Sequence, residues 1–232
     1  MSSDSVTTIS LFNFKGWKQK IFALRSMRNF DYLVKQETTS EFVKLMGSGS
    51  GNGFSVWPDF GRFVLLIVWK TEKDATEFFN RSDLFIHYKS KSISSQTIYL
   101  RTTMVHGLWD KKTPFTNNSK HDDDLPVAVL TRATIRWKDM IRFWRDVPSV
   151  SHSLTIENGP YFAAGIGELP FRYQATFSIW KNSIDMKAYA YKNDNHKKMI
   201  TKTREVGWYE EELFARFVPY KTEGDDLIHI KL

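Results

Sequence analysis

The residues best suited to chemistry in this chain are its six histidines: His87, His106, His121, His152, His196 and His229. They are dispersed, and no His-x-x-x-His or His-Glu-x-x-His pair presents zinc ligands from one helix face. Cysteine is absent. That removes thiolate nucleophiles, disulfides, iron–sulfur clusters and thiolate-ligated haem, leaving His, carboxylate, Tyr, Met or Lys for any bound metal. No Gly-x-Ser-x-Gly elbow marks a serine nucleophile. The run His121-Asp-Asp-Asp124 lies in a polar stretch and reads as a solvated acidic turn. The loop Gly47-Ser-Gly-Ser-Gly-Asn-Gly53 lacks the Lys-Ser/Thr of a phosphate-binding loop, so it reads as a tight turn or close backbone approach. His196 differs from the other histidines. It lies in Asn193-Asp-Asn-His196-Lys-Lys-Met, a helical region, where an inward ring nitrogen could ligate haem iron. The competing reading is a surface His at a helix start. His87, within Leu84-Phe-Ile-His87-Tyr, sits near the corresponding place in the first half.

The elements that would position these groups occur twice. Each half opens with a strand, Ile9–Phe14 and then Val127–Ile135. A Trp-led helix follows in each, from Trp17 and from Trp137, and in the second Trp137, Met140, Ile141, Trp144 and Val147 share one helical face. Gly-rich segments come next, Gly47–Gly53 and Gly165-Ile-Gly167. A strand ending in Trp-Lys follows, Phe63–Trp69 and Gln174–Trp180. Thr71-Glu-Lys-Asp and Asn182-Ser-Ile-Asp then start a second helix with capping residues and acids. Closing strands lie near Thr97–Thr103 and Leu213–Pro219. The order strand, helix, strand, strand, helix, strand is the ferredoxin-like βαββαβ arrangement. The expected fold class is α+β, with tandem ferredoxin-like repeats forming a dimeric barrel-like arrangement within one chain. The repeats would span residues 1–110 and 126–232, joined by a polar linker, 111–125.

Composition bounds the rest. The chain has 232 residues, a formal charge of +7, eight Trp and eighteen Phe. Its longest apolar run, Phe63–Trp69, is too short to cross a bilayer. Met1–Thr8 has no apolar signal core, so a cytoplasmic location is the default expectation. The positive charge reads first as a solvated surface, with an acidic membrane surface or an anionic ligand as sharper readings. Lys and Arg are scattered and no RNP-type motif occurs, which argues against nucleic acid. The aromatic residues fill a core or line a pocket for an extended apolar ligand.

Long blocks of the chain resemble the spheroidene monooxygenase (acyclic carotenoid 2-ketolase) family. They are Phe42-Val-Lys-Leu-Met-Gly-Ser-Gly-Ser-Gly-Asn-Gly-Phe54, His106-Gly-Leu-Trp-Asp-Lys-Lys-Thr-Pro-Phe115, Thr131-Arg-Ala-Thr-Ile-Arg-Trp137, Gly165–Trp180 and Arg204–Phe217. The resemblance covers nearly the whole chain. It implies a haem-containing monooxygenase that oxidises an activated methylene of an acyclic carotenoid to a ketone with O₂. It also implies an apolar small-molecule substrate, an external electron donor, and His196, in Tyr189-Ala-Tyr-Lys-Asn-Asp-Asn-His196, as the haem-iron ligand. Arg132, Gln174 and Arg216 lie in the resembling blocks and are the candidate polar groups beside bound O₂. Structural roles compete with this: strand-end hydrogen bonds for Arg132 and Gln174, and a pair with Glu211 or Glu212 for Arg216. Two other functions stay open, a non-catalytic haem or small-ligand binding protein and a cofactor-free monooxygenase of the antibiotic-biosynthesis kind. The halves also differ. The strand Gln174-Ala-Thr-Phe-Ser is polar where Phe63–Trp69 is wholly apolar, so one active site is expected, in the second half.

Overall fold

The computed structural model describes residues 4–50, 58–120, 122–142, 159–169, 172–192 and 207–232. Its strands are β1 (Val6–Asn13), β2 (Phe42–Gly49), β3 (Pro58–Trp69), β4 (Ser94–Gly107), β5 (Val127–Ile135), β6 (Phe162–Gly167), β7 (Tyr173–Trp180) and β8 (Tyr209–Gly224). They close into one antiparallel barrel in the order β1-β3-β2-β6-β7-β5-β8-β4. Within it the first half runs β4-β1-β3-β2 and the second β8-β5-β7-β6, the same order twice. The halves meet along β2–β6 and β4–β8. Neither half closes a barrel alone, and closure leaves no sheet edge unpaired.

Each strand has two faces, and alternate residues take opposite ones. Ile9, Leu66, Ile98, Leu130, Phe177 and Phe217 point inward, into an apolar core that fills the barrel. Trp109 and Phe115 join this core, as does Ile228 near the C-terminus. The expected linker is therefore more than a tether. Its polar residues flank Phe115, 2% exposed, which packs edge-on against Phe217 with ring centroids 5.1 Å apart. Gly107 lets the chain turn toward Trp109. It has φ 85°, and a Cβ there would lie 2.1 Å from the Glu212 carbonyl oxygen, so only glycine fits.

Helices cover the outer face. The first half carries α1 (Trp17–Ser26), α2 (Phe30–Glu37), α3 (Glu72–Arg81) and α4 (Asp83–Ser90), two per crossover rather than the single helix the repeat pattern suggests. The second break has a local cause: the Ser82 side chain accepts from the Phe85 amide and restarts the helix there. Thr71 and Asp74 form a reciprocal capping box that begins α3, as their sequence indicates. Under these helices lies an aromatic layer containing Phe12, Phe63, Trp69, Phe78, Phe85 and Tyr88. In the second half α5 (Ser183–Lys192) begins with the Asn182 side chain accepting from the Asp185 amide. The helix expected from Trp137 starts as a 3-10 turn, Trp137–Asp139, and its apolar stripe is not buried: Trp137 and Ile141 are exposed. Trp144 and Val147 of that stripe lie outside the described residues. No helix among the described residues is long and apolar enough to cross a membrane.

Candidate active site

Strand registers place the two halves in correspondence. Trp69 pairs with Val6 and Trp180 with Val127, so the outer-facing residues of β3 and β7 match one to one. Phe63, Leu65 and Ile67 in the first half become Gln174, Thr176 and Ser178 in the second. On the neighbouring strands Phe12 becomes Ala133, while Val43 and Leu45 become Ala163 and Gly165. Tyr99 becomes Arg216. Every one of these changes removes apolar bulk or adds a hydrogen-bonding group. The layer that is a packed aromatic core in the first half is, in the second, a face of small and polar side chains. Thr131, in the middle of this face, is exposed among the described residues. At one end α5 packs Met186 and Tyr189 over Val127, Val129, Trp180 and Phe214.

Arg216 is the cation on the outward side of β8, and Glu212, level with Gln174, is an anion there. Neither ion pair considered for Arg216 forms: Glu211 projects to the other side of β8 and pairs with Arg132, and Glu212, on the same side as Arg216, stands four residues along the strand from it. The Arg216 Nε is buried and has no hydrogen-bond acceptor among the described residues. Its guanidinium lies 5.4 Å from the Phe214 ring centroid. A buried donor without an acceptor is costly, and an anionic or oxygen-rich ligand would satisfy it. Gln174 shares the face but not the place. It is level with Ala133 and Glu212, whereas Arg216 is level with Val129 and Ser178. Four residues along and two strands across separate them by on the order of 15 Å. One small ligand atom cannot touch both.

Arg132 is elsewhere. It lies on the inner face of β5, 2% exposed, at one end of the barrel. Its guanidinium pairs with Glu211 and stands 3.8 Å from Asp110. The Trp109 and Tyr173 rings lie 5.5 and 5.6 Å away. Glu211 also accepts from the amides of Asp110 and Lys111, at 3.0 and 2.7 Å, holding two residues in left-handed conformation with φ 53° and 61°. Lys44 joins the cluster, with Asp110 at 2.6 Å and Glu168 at 2.5 Å, and Trp109 donates to Glu168. These contacts make Arg132 a lock on the barrel end rather than a partner of Gln174 and Arg216. His196 and His152 lie outside the described residues, as does His121. His87, His106 and His229 are exposed. Among the described residues no cluster of His and carboxylates has metal-binding spacing.

Asp31 stands beside the charged cluster and receives the Leu45 amide at 2.8 Å. Burial raises its pKa from 3.8 to about 6; the Glu168 charge adds to this, while the Leu45 hydrogen bond and Lys44 oppose it. The unfolded chain therefore releases this proton at lower pH than the folded one. Stability falls as pH rises from about 4 to 6, and the deficit persists above 6. Asp31→Asn keeps the acceptor and removes the charge. It is expected to stabilise the protein by on the order of 1–2 kcal/mol at pH 7.5 and by nothing at pH 4. Urea midpoints at the two pH values check it, and an equal effect at both would contradict the assignment.

No family model matches the chain. Among curated proteins it is 34% identical over 222 residues to spheroidene monooxygenase of Cereibacter sphaeroides, covering 94% of this chain and 67% of that one. It is 32% identical to spheroidene monooxygenase of Rhodobacter capsulatus, covering 94% and 92%. The protein of the same name from Rubrivivax gelatinosus is 35% identical over 188 residues, covering 81% and 72%. Among solved structures, an aldoxime dehydratase in complex with butyraldoxime superposes with a TM-score of 0.65 at 10% identity, covering 98% of this chain and 84% of that one. A second aldoxime dehydratase structure gives 0.59 at 10% identity, covering 94% and 82%. Likeness at that identity establishes a shared fold and nothing further.

Proposed function

Because the chain belongs to the spheroidene monooxygenase family, and is a monooxygenase on that ground, we propose that it oxidises an activated methylene of an acyclic carotenoid to a ketone, at a haem site on the outer face of the β6-β7-β5-β8 sheet. The two halves are then copies of one ferredoxin-like unit, a reading supported by their identical strand order. The first kept its aromatic layer as a scaffold and the second exchanged it for a site. The observation that carries this reading is the replacement of Phe63, Leu65, Ile67 and Phe12 by Gln174, Thr176, Ser178 and Ala133 at matching positions. Bulk is missing where a flat apolar group would lie against the sheet, and polar side chains stand where its edge would need them.

The residues present fit haem on two counts. The sheet face offers small side chains, and the Arg216 Nε is a buried donor awaiting an acceptor. His196 follows α5 by four residues in the sequence and supplies the imidazole that would hold the iron. Haem bound there would supply O₂ binding and activation. The protein's own groups then have definite tasks. Arg216 donates a charged hydrogen bond into the low-dielectric face, where such a bond is stronger than in water. Thr131, Thr176 and Ser178 offer hydroxyls that both donate and accept, suited to passing protons across the sheet. Gln174, too distant to share Arg216's target, orients a different edge of whatever is bound. Met186, Tyr189 and Trp180 close one end with apolar surface and exclude water. Each oxygen insertion consumes one O₂, two electrons from an external donor and two protons, and releases water. Two such turns carry a methylene to a hydrated ketone, which loses one further water to give the ketone.

Titration of the purified protein with haemin tests the site. Saturable one-to-one uptake with a sharp Soret band is expected, and His196→Ala should broaden and weaken that band. Absence of saturable uptake would sink the haem reading and favour the cofactor-free alternative. Uptake without ketone formation from an acyclic carotenoid, given reductant and O₂, would leave a haem-binding protein.

A further inference from the structure

Helix α1 buries one side and leaves the other without any protein partner among the described residues. Ala23 is fully buried, and Phe22 packs against Tyr88 with ring centroids 5.7 Å apart. On the opposite side Trp17, Ile21 and Leu24 are 70%, 39% and 46% exposed. Their spacing of four and then three residues aligns them in one stripe along the helix. A charged flank lies on each side of the stripe: Lys20 on one, Lys18 and Arg25 on the other. No acidic residue occurs between Lys15 and Arg28, a segment with five Lys and Arg. The apolar surface also continues beyond the helix. Ile93, 64% exposed, donates its amide to the Asn13 carbonyl at 2.8 Å, which sets it beside the start of α1.

A protein-facing helix of this size would bury its Trp and Leu, and a solvated one would not line them up. An exposed apolar stripe led by tryptophan and edged on both sides by cations matches the interface of an anionic bilayer, where the ring sits at headgroup depth and the cations meet lipid phosphates. We infer that the Trp17–Leu24 face of α1 docks the protein on an anionic lipid surface. The docking is peripheral, with the helix lying in the plane of the headgroups. It stands on α1 alone and does not depend on what occupies the second-half site.

Flotation with vesicles of equal parts phosphatidylcholine and phosphatidylglycerol tests the docking, using the full chain. The wild type is expected to float with these vesicles, to bind pure phosphatidylcholine vesicles at least about tenfold more weakly, and to lose binding as salt rises. The variant Trp17→Ser/Ile21→Ser/Leu24→Ser should lose at least about tenfold in vesicle binding, and Lys18→Glu/Lys20→Glu should remove the preference for anionic lipid. All five positions border solvent, so circular dichroism and melting should match the wild type. Turnover of detergent-dispersed substrate by the triple-serine variant should also be unchanged, which separates failure of docking from failure of the active site. Equal vesicle binding by wild type and both variants would overturn the inference. So would a lipid-free dimer that the triple-serine variant dissolves, since the face would then join two copies of this chain.

Discussion

Thr176→Leu is expected to make the protein more stable and nearly inactive. Thr176 lies at the centre of the second-half face, between Gly165 and Thr131, where the first half carries Leu65. Restoring leucine there recreates the scaffold packing. Burying the added methyl groups in the ligand-free protein should contribute about 1–2 kcal/mol, a rise of a few degrees in Tm for a chain of this length. The same methyl groups occupy the place proposed for the ligand. Haemin uptake should fall at least about a hundredfold, and ketone formation with it, since a bulky side chain in a ligand's volume costs more than the few kcal/mol an interface contact supplies. Adding Gln174→Phe and Ser178→Ile should extend both trends. Melting curves and Soret titration on the same samples decide the matter. A variant that gains stability yet binds haemin within about twofold of the wild type would move the site off this face. A variant that loses stability would mean that the face is already filled.

That face is half legible in the sequence. The polar alternation in Gln174-Ala-Thr-Phe-Ser, set against the unbroken apolar run Phe63–Trp69, marks the second half as the divergent one because outward positions of a covered strand answer to whatever covers them. The sequence does not mark Thr131, Ala133 or Gly165 as site residues, although they lie on the same face, because each is ordinary in its own strand and acquires meaning only beside its counterpart in the other half. The side of β5 that Arg132 takes is hidden for a related reason. In Val127-Ala-Val-Leu-Thr-Arg-Ala-Thr-Ile the inner side is buried by the barrel core and the outer side, at Val127 and Val129, by α5, so apolar residues occur at consecutive positions there and do not reveal which way the arginine points. The plug formed by Trp109 and Phe115 was hidden because it is a long-range contact of a polar segment. The exposure of Trp137 and Ile141 overrode a periodicity that, read alone, promised a buried helix face.

Loss of the Arg132 guanidinium should unfold the barrel end without altering the chemistry. Arg132→Met removes the cation from a cluster in which Glu211 is 16% exposed and already accepts the Asp110 and Lys111 amides. The carboxylate left behind keeps those two amides but loses its countercharge, and the left-handed Asp110–Lys111 turn depends on it. A buried pair broken from one side costs about 3–5 kcal/mol, which corresponds to a Tm about 10 °C lower here. Glu211→Gln should cost somewhat less, since its amide oxygen still accepts one backbone hydrogen. The double variant Arg132→Met/Glu211→Gln should be less damaged than the sum of the two, because each single variant leaves a buried charge unpaired and the double variant leaves neither. Lys44, bound to Asp110 and Glu168, holds the remaining half of the cluster in each variant. Urea unfolding of the four proteins gives the coupling. Spectra of the folded, haemin-loaded variants separate this role from the one the sequence suggested. A group in contact with ligand at the iron would shift the Soret maximum and the stability of the O₂ complex, whereas a lock on the opposite face of the sheet leaves both unchanged while the unfolding midpoint falls.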